Sequence, residues 1–89
     1  MKRIALIAIV IENMNSTEKL NSVLHEYAEY ILGRMGLPCR ERGISLISVA
    51  IDAPQEVISA LSGKIGAISG VEAKTVYSKI KNISDGEGN

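Results

Sequence analysis

An α+β domain, a four-stranded antiparallel sheet with both helices on one face, is the fold this sequence predicts, and three observations predict it. Two segments, Arg3 to Glu12 and Ile44 to Ile51, are strand-like and strongly apolar. Each is followed by a cap signal and a segment whose apolar residues recur at helical spacing. Two weaker strand-like segments complete the order strand, helix, strand, strand, helix, strand.

In the first strand Ile7, Ile9 and Ile11 point one way and Leu6, Ala8 and Val10 the other, because side chains alternate along a strand. A run that is apolar on both faces belongs at the centre of a sheet covered on both sides. Asn15 and Glu18, three residues apart, read as a capping box opening a helix from about residue 16 to residue 33, ended by Gly33 or Gly36. Its inner stripe is Leu20, Val23, Leu24, Tyr27 and Ile31. The next strand, Met35 to Arg40, is weak and carries Pro38, which suits an edge. Arg40 to Gly43 turn the chain into Ile44 to Ile51, with a strong face (Ile47, Val49, Ile51) and a softer one (Leu46, Ser48, Ala50). Asp52, Pro54 and Gln55 read as a second helix start. Val57, Ile58, Leu61, Ile65 and Ile68 share one face, so helical phase persists through Gly63 and Gly66. The last strand, Val71 to about Ser78, is a half-buried edge with Glu72 and Lys74 outward.

Right-handed crossovers and one hairpin fold this order into the ferredoxin-like βαββαβ unit, with the first and third strands central. The domain is expected over residues 1–78, and the charged, Gly-rich residues 79–89 are expected to form a disordered tail. The helices cover one sheet face only. Leu6, Ala8, Val10, Leu46, Ser48 and Ala50 line the other, too apolar for water, and are the expected oligomer interface.

Composition narrows the function. The 89 residues suffice for a single small core, and ten basic residues balance ten acidic ones. A zero net charge and only three aromatics, all Tyr, argue against a nucleic-acid interface. The apolar N-terminal run is too short to span a bilayer and lacks a cleavage site, and the lone Cys39 fits a reducing cytosol, so a cytoplasmic protein is expected, with no membrane contact.

Few residues invite chemistry. His25, the only histidine, shares a helix face with Glu18 and Glu29 and is a candidate metal ligand, with Cys39 a second if another element or chain brings it near. A solvated surface histidine and a small buried thiol are the plainer readings. Tyr30 and Arg34, beside flexible glycines, suit a carboxylate or phosphate, although an Arg at a helix C-terminus is also an ordinary dipole partner. Ser59, Ser62, Gly63 and Gly66 form a small-residue strip on the outer face of the second helix, open to close approach by a ligand or another backbone. Ser62-Gly63-Lys64 is no P-loop, since Ile58 and Ile65 stand where that motif needs Gly and a hydroxyl. No catalytic constellation stands out.

Several strings together resemble one family: Leu24-His25-Glu26-Tyr27, Tyr30-Ile31, Gly33-Arg34-Met35-Gly36 with Pro38, Gly43-Ile44, Asp52-Ala53-Pro54, Ser59 to Lys64, Gly66, and Gly70-Val71. The resemblance is to the small regulators assigned to the iron-only hydrogenase system, and it runs from Lys2 to Lys79. It implies an ACT-type ferredoxin-like fold similar to the C-terminal domain of the nickel-responsive repressor, an oligomer, and a link to hydrogenase gene regulation or maturation. That repressor domain uses several histidines and a cysteine. This chain has one of each, so the nickel site does not carry over, and no ribbon-helix-helix arm is visible in it.

The expectation is therefore a non-enzymatic regulatory or sensor domain, a homo-oligomer (dimer or tetramer), taking a small effector or divalent metal at a subunit interface. It would act through a separate regulatory or hydrogenase-maturation protein. The alternatives are a small enzyme of the dimeric α/β-barrel type and a structural adaptor subunit. The enzyme would need an acid or base between paired sheets, where Ser48 is the one polar residue expected.

Overall fold

The structure, a computed structural model, describes residues 2–79; the tail expected over 79–89 lies, apart from Lys79, outside the described residues. Strands β1 (Lys2–Ile11), β2 (Ile31–Cys39), β3 (Ile44–Pro54) and β4 (Val71–Tyr77) form one sheet in the order β2-β3-β1-β4, with α1 (Thr17–Glu26) and α2 (Gln55–Gly66) packed together on one face. All three pairings are antiparallel. The ferredoxin-like arrangement is as the sequence predicts, with the two most apolar strands central.

Alternation along β1 decides the layers. Ala5, Ile7, Ile9 and Ile11 are buried against the helices, where they meet Val49, Ile51 and Ala53 of β3, Leu20 and Leu24 of α1, and Ile58, Leu61 and Ile65 of α2. Val23, Tyr27, Val57 and Ile68, expected on the inner stripes, pack partly buried around this core. Full burial of each large aliphatic side chain is worth about 1.5–3 kcal/mol, so this single layer dominates the favourable side of folding.

Element boundaries depart from expectation at the capped ends. Helix α1 stops at Glu26, a 3-10 turn (Ala28–Tyr30) follows, and β2 begins at Ile31. The apolar phase that extends the helix to residue 33 in the sequence is carried instead by Tyr27, Tyr30 and Ile31, which reach the same core from a turn and a strand. Neither expected cap forms. The N-cap of α1 is Ser16, with no side-chain cap bond, and the Asn13 side chain accepts instead from the Asn15 N–H at 3.0 Å, closing a preceding 3-10 turn. Asp52 stays in β3 opposite Ile4, and Pro54, in an extended conformation, opens α2 without a side-chain bond. Extra ladder pairs outweigh one cap bond, which is worth about 1 kcal/mol.

The loops after β1 and before β4 are locked together. The Glu12 N–H donates to the Gly70 carbonyl at 2.7 Å, and the buried Ser16 hydroxyl donates to the Ser69 carbonyl at 2.5 Å. Gly70 has φ +76°, and a Cβ there would lie 2.6 Å from the Asn13 Cβ, so only glycine fits the approach.

Candidate functional site

The expected site residues fall on two different sides of the molecule. The helix layer carries His25, Ser59, Ser62, Gly63 and Gly66, and the open sheet face carries Leu6, Ala8, Val10, Leu46, Ser48 and Ala50.

On the helix side the candidates do not converge. His25 is exposed in the last turn of α1, at the end of the sheet where β2 starts, whereas Cys39 closes β2 at the opposite end, about 26 Å along the strand from Ile31. The two ligands therefore do not meet within one chain. Among the described residues no three His, Cys, Asp or Glu side chains gather as a metal group. Tyr30 and Arg34, expected one helical turn apart, separate because β2 begins between them. Tyr30 packs on the core with its ring centroid 6.5 Å from that of Tyr27, while Arg34 Nη2 donates to Asn21 Oδ1 of α1 at 3.0 Å. Ser62 Oγ accepts from Thr75 Oγ1 at 3.1 Å, so one member of the small-residue strip is spent fastening α2 to β4. A Cβ added at Gly63 or Gly66 would meet nothing within 4 Å.

Two clusters had no signal in the sequence. Lys64 Nζ of α2 donates to Glu26 Oε1 of α1 at 3.3 Å and sits 5.2 Å from the centre of the Tyr27 ring. Its contact with the Tyr27 side chain and then the Glu26 carboxylate hold the Lys64 pKa above the ordinary lysine value. Arg3 bridges β1 to α2 and β4, donating to Gln55 Oε1 at 2.7 Å with its guanidinium 4.3 Å from the Tyr77 ring centre. These contacts join residues 37 to 74 positions apart, so no local spacing announces them.

The open face is the larger feature. Register puts its side chains in rows across β2, β3, β1 and β4: Gly33, Ala50, Leu6, Val76; then Met35, Ser48, Ala8, Lys74; then Leu37, Leu46, Val10, Glu72. All six expected interface residues lie on it. Leu6 is 50% exposed, Leu46 39%, Met35 72% and Leu37 65%. Met35, Leu37 and Val76 join this face beyond expectation, because the sequence makes β2 a short strand and β4 a half-buried edge; their period-two spacing is the available signal. Ser48 is also not the face's one polar residue, since Asp52, Glu72 and Lys74 share it. A shallow hollow of about 160 Å³ opens beside β4, lined by Ala8, Val10, Glu72, Ala73 and Lys74. No helix among the described residues is long and apolar enough to cross a membrane.

Comparison with known proteins agrees with this geometry. Residues 3–75 match a TM1266-like family described as "Iron-only hydrogenase system regulator, putative". The structure of uncharacterized protein TM1266 from Thermotoga maritima is similar at 39% identity and a TM-score of 0.85, covering 89% of this chain and all of that one (100%). Two distant structures share the fold alone. A formyltetrahydrofolate deformylase from Pseudomonas putida aligns at 16% identity and TM-score 0.60 over 82% of this chain and 28% of its own. The divalent ion tolerance protein CutA1 from Ehrlichia chaffeensis aligns at 16% identity and TM-score 0.50 over 96% of this chain and 90% of its own. No curated protein matches the chain. With the ferredoxin-like sheet, the bare apolar face and a family match spanning nearly the whole described domain, the chain belongs to the TM1266-like iron-only hydrogenase system regulator family.

Proposed function

We propose that this domain is a non-enzymatic regulatory subunit of the iron-only hydrogenase system that works as a homo-oligomer and responds to a small effector or divalent metal held between subunits. The observation that carries the reading is the open sheet face. An apolar surface built from both central strands and the edge strand β2, and exposing Leu6, Leu37 and Leu46, costs free energy in water and calls for a cover. With no net charge to favour a polyanion, the regulator acts through a protein partner, a regulatory or hydrogenase-maturation protein, rather than by gripping nucleic acid itself.

The effector site belongs to the helix side, where His25 and the strip of Ser59, Gly63 and Gly66 are exposed. One imidazole makes a poor metal site, because stable transition-metal sites take three or four ligands. A metal there draws ligands from more than one chain, which requires a helix-side contact in addition to the sheet-side one, and hence a tetramer. Sedimentation at micromolar concentration should show a dimer or larger species. Leu6→Lys and Leu46→Lys should be folded and monomeric. A monomeric wild type would overturn the reading. Calorimetry with nickel, zinc and iron(II) on wild type and His25→Ala then tests the metal. Binding should be lost in the variant. Equal binding by both proteins would remove His25 from the site.

A further inference from the structure

The open face is not uniformly apolar; it is shaped. On the β2 side Met35 and Leu37 stand proud, the most exposed large hydrophobic side chains of the face. On the β4 side lies the hollow of about 160 Å³ over Ala8 and Val10. That space suits about six heavy atoms, the ends of two aliphatic side chains, since a cavity of roughly 150 Å³ accepts a benzene. Knobs and hollow occupy the same two rows of the sheet: Met35 is level with Ala8 and Lys74, and Leu37 with Val10 and Glu72.

We propose that a second copy of this chain docks sheet to sheet about a two-fold axis parallel to the strands and running between β1 and β3. Met35 and Leu37 of each copy then lie over Lys74 and Glu72 of the other and lean into the hollow between its β4 and β1. Such an axis reverses strand order but preserves rows, so β2 of one copy faces β4 of the other and β3 faces β1. Leu46 comes over Val10, Ala50 over Leu6, and both knob–hollow contacts form at once, as an isologous interface requires. The competing axis, perpendicular to the strands, lays β2 on β2 and β4 on β4. Knob would meet knob and hollow would face hollow, leaving voids that forfeit dispersion contacts. Aligned sheets packed about 10 Å apart tolerate the roughly 30° rotation that sheet twist imposes. Glu72 and Lys74 flank the hollow on an edge strand, so their charged ends reach water at the rim while their stems wall the contact.

Size favours the same occupant. With strands about 4.8 Å apart and residues about 3.4 Å apart, the face amounts to roughly 500 Å² per copy, or about 1,000 Å² buried in all. That is the lower bound for a specific interface, so the dimer should be concentration-dependent rather than permanent. The inference rests on the reading of the domain as an oligomer, and the test separates the two.

Sedimentation equilibrium on the 89-residue chain, from about 1 μM to about 500 μM, should give a reversible dimer. Leu37→Ala should weaken it by about tenfold or more. Ala8→Met is the decisive variant. It adds apolar surface at an exposed position, which would strengthen non-specific association, but here it fills the hollow and should also weaken the dimer about tenfold. Adding Met35→Ala to it removes the opposing knob and should restore affinity to within about threefold. Thermal melts by circular dichroism show whether each variant folds, and Leu37→Glu, at an exposed edge position, replaces Ala8→Met should that one fail. A dimer that Ala8→Met leaves unchanged or tightens, or that Leu37→Glu leaves intact, overturns this arrangement while the oligomer reading stands. A wild type monomeric throughout overturns both.

Discussion

At the scale of single residues, the tightest constraint is at Gly70. Its φ of +76° lies in the region L side chains avoid, and a Cβ would fall inside contact distance of Asn13. Gly70→Ala should therefore cost about 2 kcal/mol or more, read as a fall of about 10 °C in the melting temperature. A change within 2 °C would show that the two loops yield freely. Lys64 illustrates a weaker kind of contact. It is exposed, so its ion pair with Glu26 is screened, and its raised pKa means that any stabilisation is complete below the free-lysine pKa and disappears as pH rises through the folded value.

Among elements, α2 and β2 carry the instructive cases. Helix α2 runs through Gly63 without a break, with open space where its Cβ would be. Replacing a mid-helix glycine by alanine removes backbone entropy from the unfolded chain, so Gly63→Ala should stabilise the isolated fold by about 0.5–1 kcal/mol. Gly63→Val is a sharper probe of the helix-side site: the fold should tolerate it, while oligomer size or effector binding should suffer. A large loss of stability with assembly intact would make the glycine a backbone requirement. Strand β2 owes its length to its neighbour. Ile31 and the stretch from Gly33 to Cys39 pair with β3, with an irregularity at Leu32, and those ladder bonds compensate two glycines and a proline that depress strand propensity.

At the scale of the whole molecule, the described residues form two layers, a sheet with both helices on one face, and leave the other sheet face without a cover. If apolar burial drives assembly, as we propose, association should show a negative heat-capacity change and little salt dependence. Dilution calorimetry between about 10 °C and 35 °C, at low and at high salt, measures both. A dimer lost at high salt would move the driving force to rim charges such as Glu72 and Lys74 and away from the leucines.

Much of this architecture is written locally. The alternating isoleucines of β1, the helical stripe of Ile58, Leu61 and Ile65, and the position of Pro38 on an edge together specify element order, layers and the central strands, because burial periodicity depends only on near neighbours in the chain. The same periodicity placed Leu6, Ala8, Val10, Leu46, Ser48 and Ala50 on one uncovered face. Helix ends were not legible. A stripe of apolar residues reaching Ile31 looks the same whether a helix continues or a turn hands over to a strand, and ladder bonds to a distant strand decide which. Register was equally hidden. Only the paired sheet sets Met35 level with Ala8 and Lys74, draws Arg3 over Tyr77, and sends His25 and Cys39 to opposite ends, because those relations join residues far apart in sequence and exist only once the strands have found their partners.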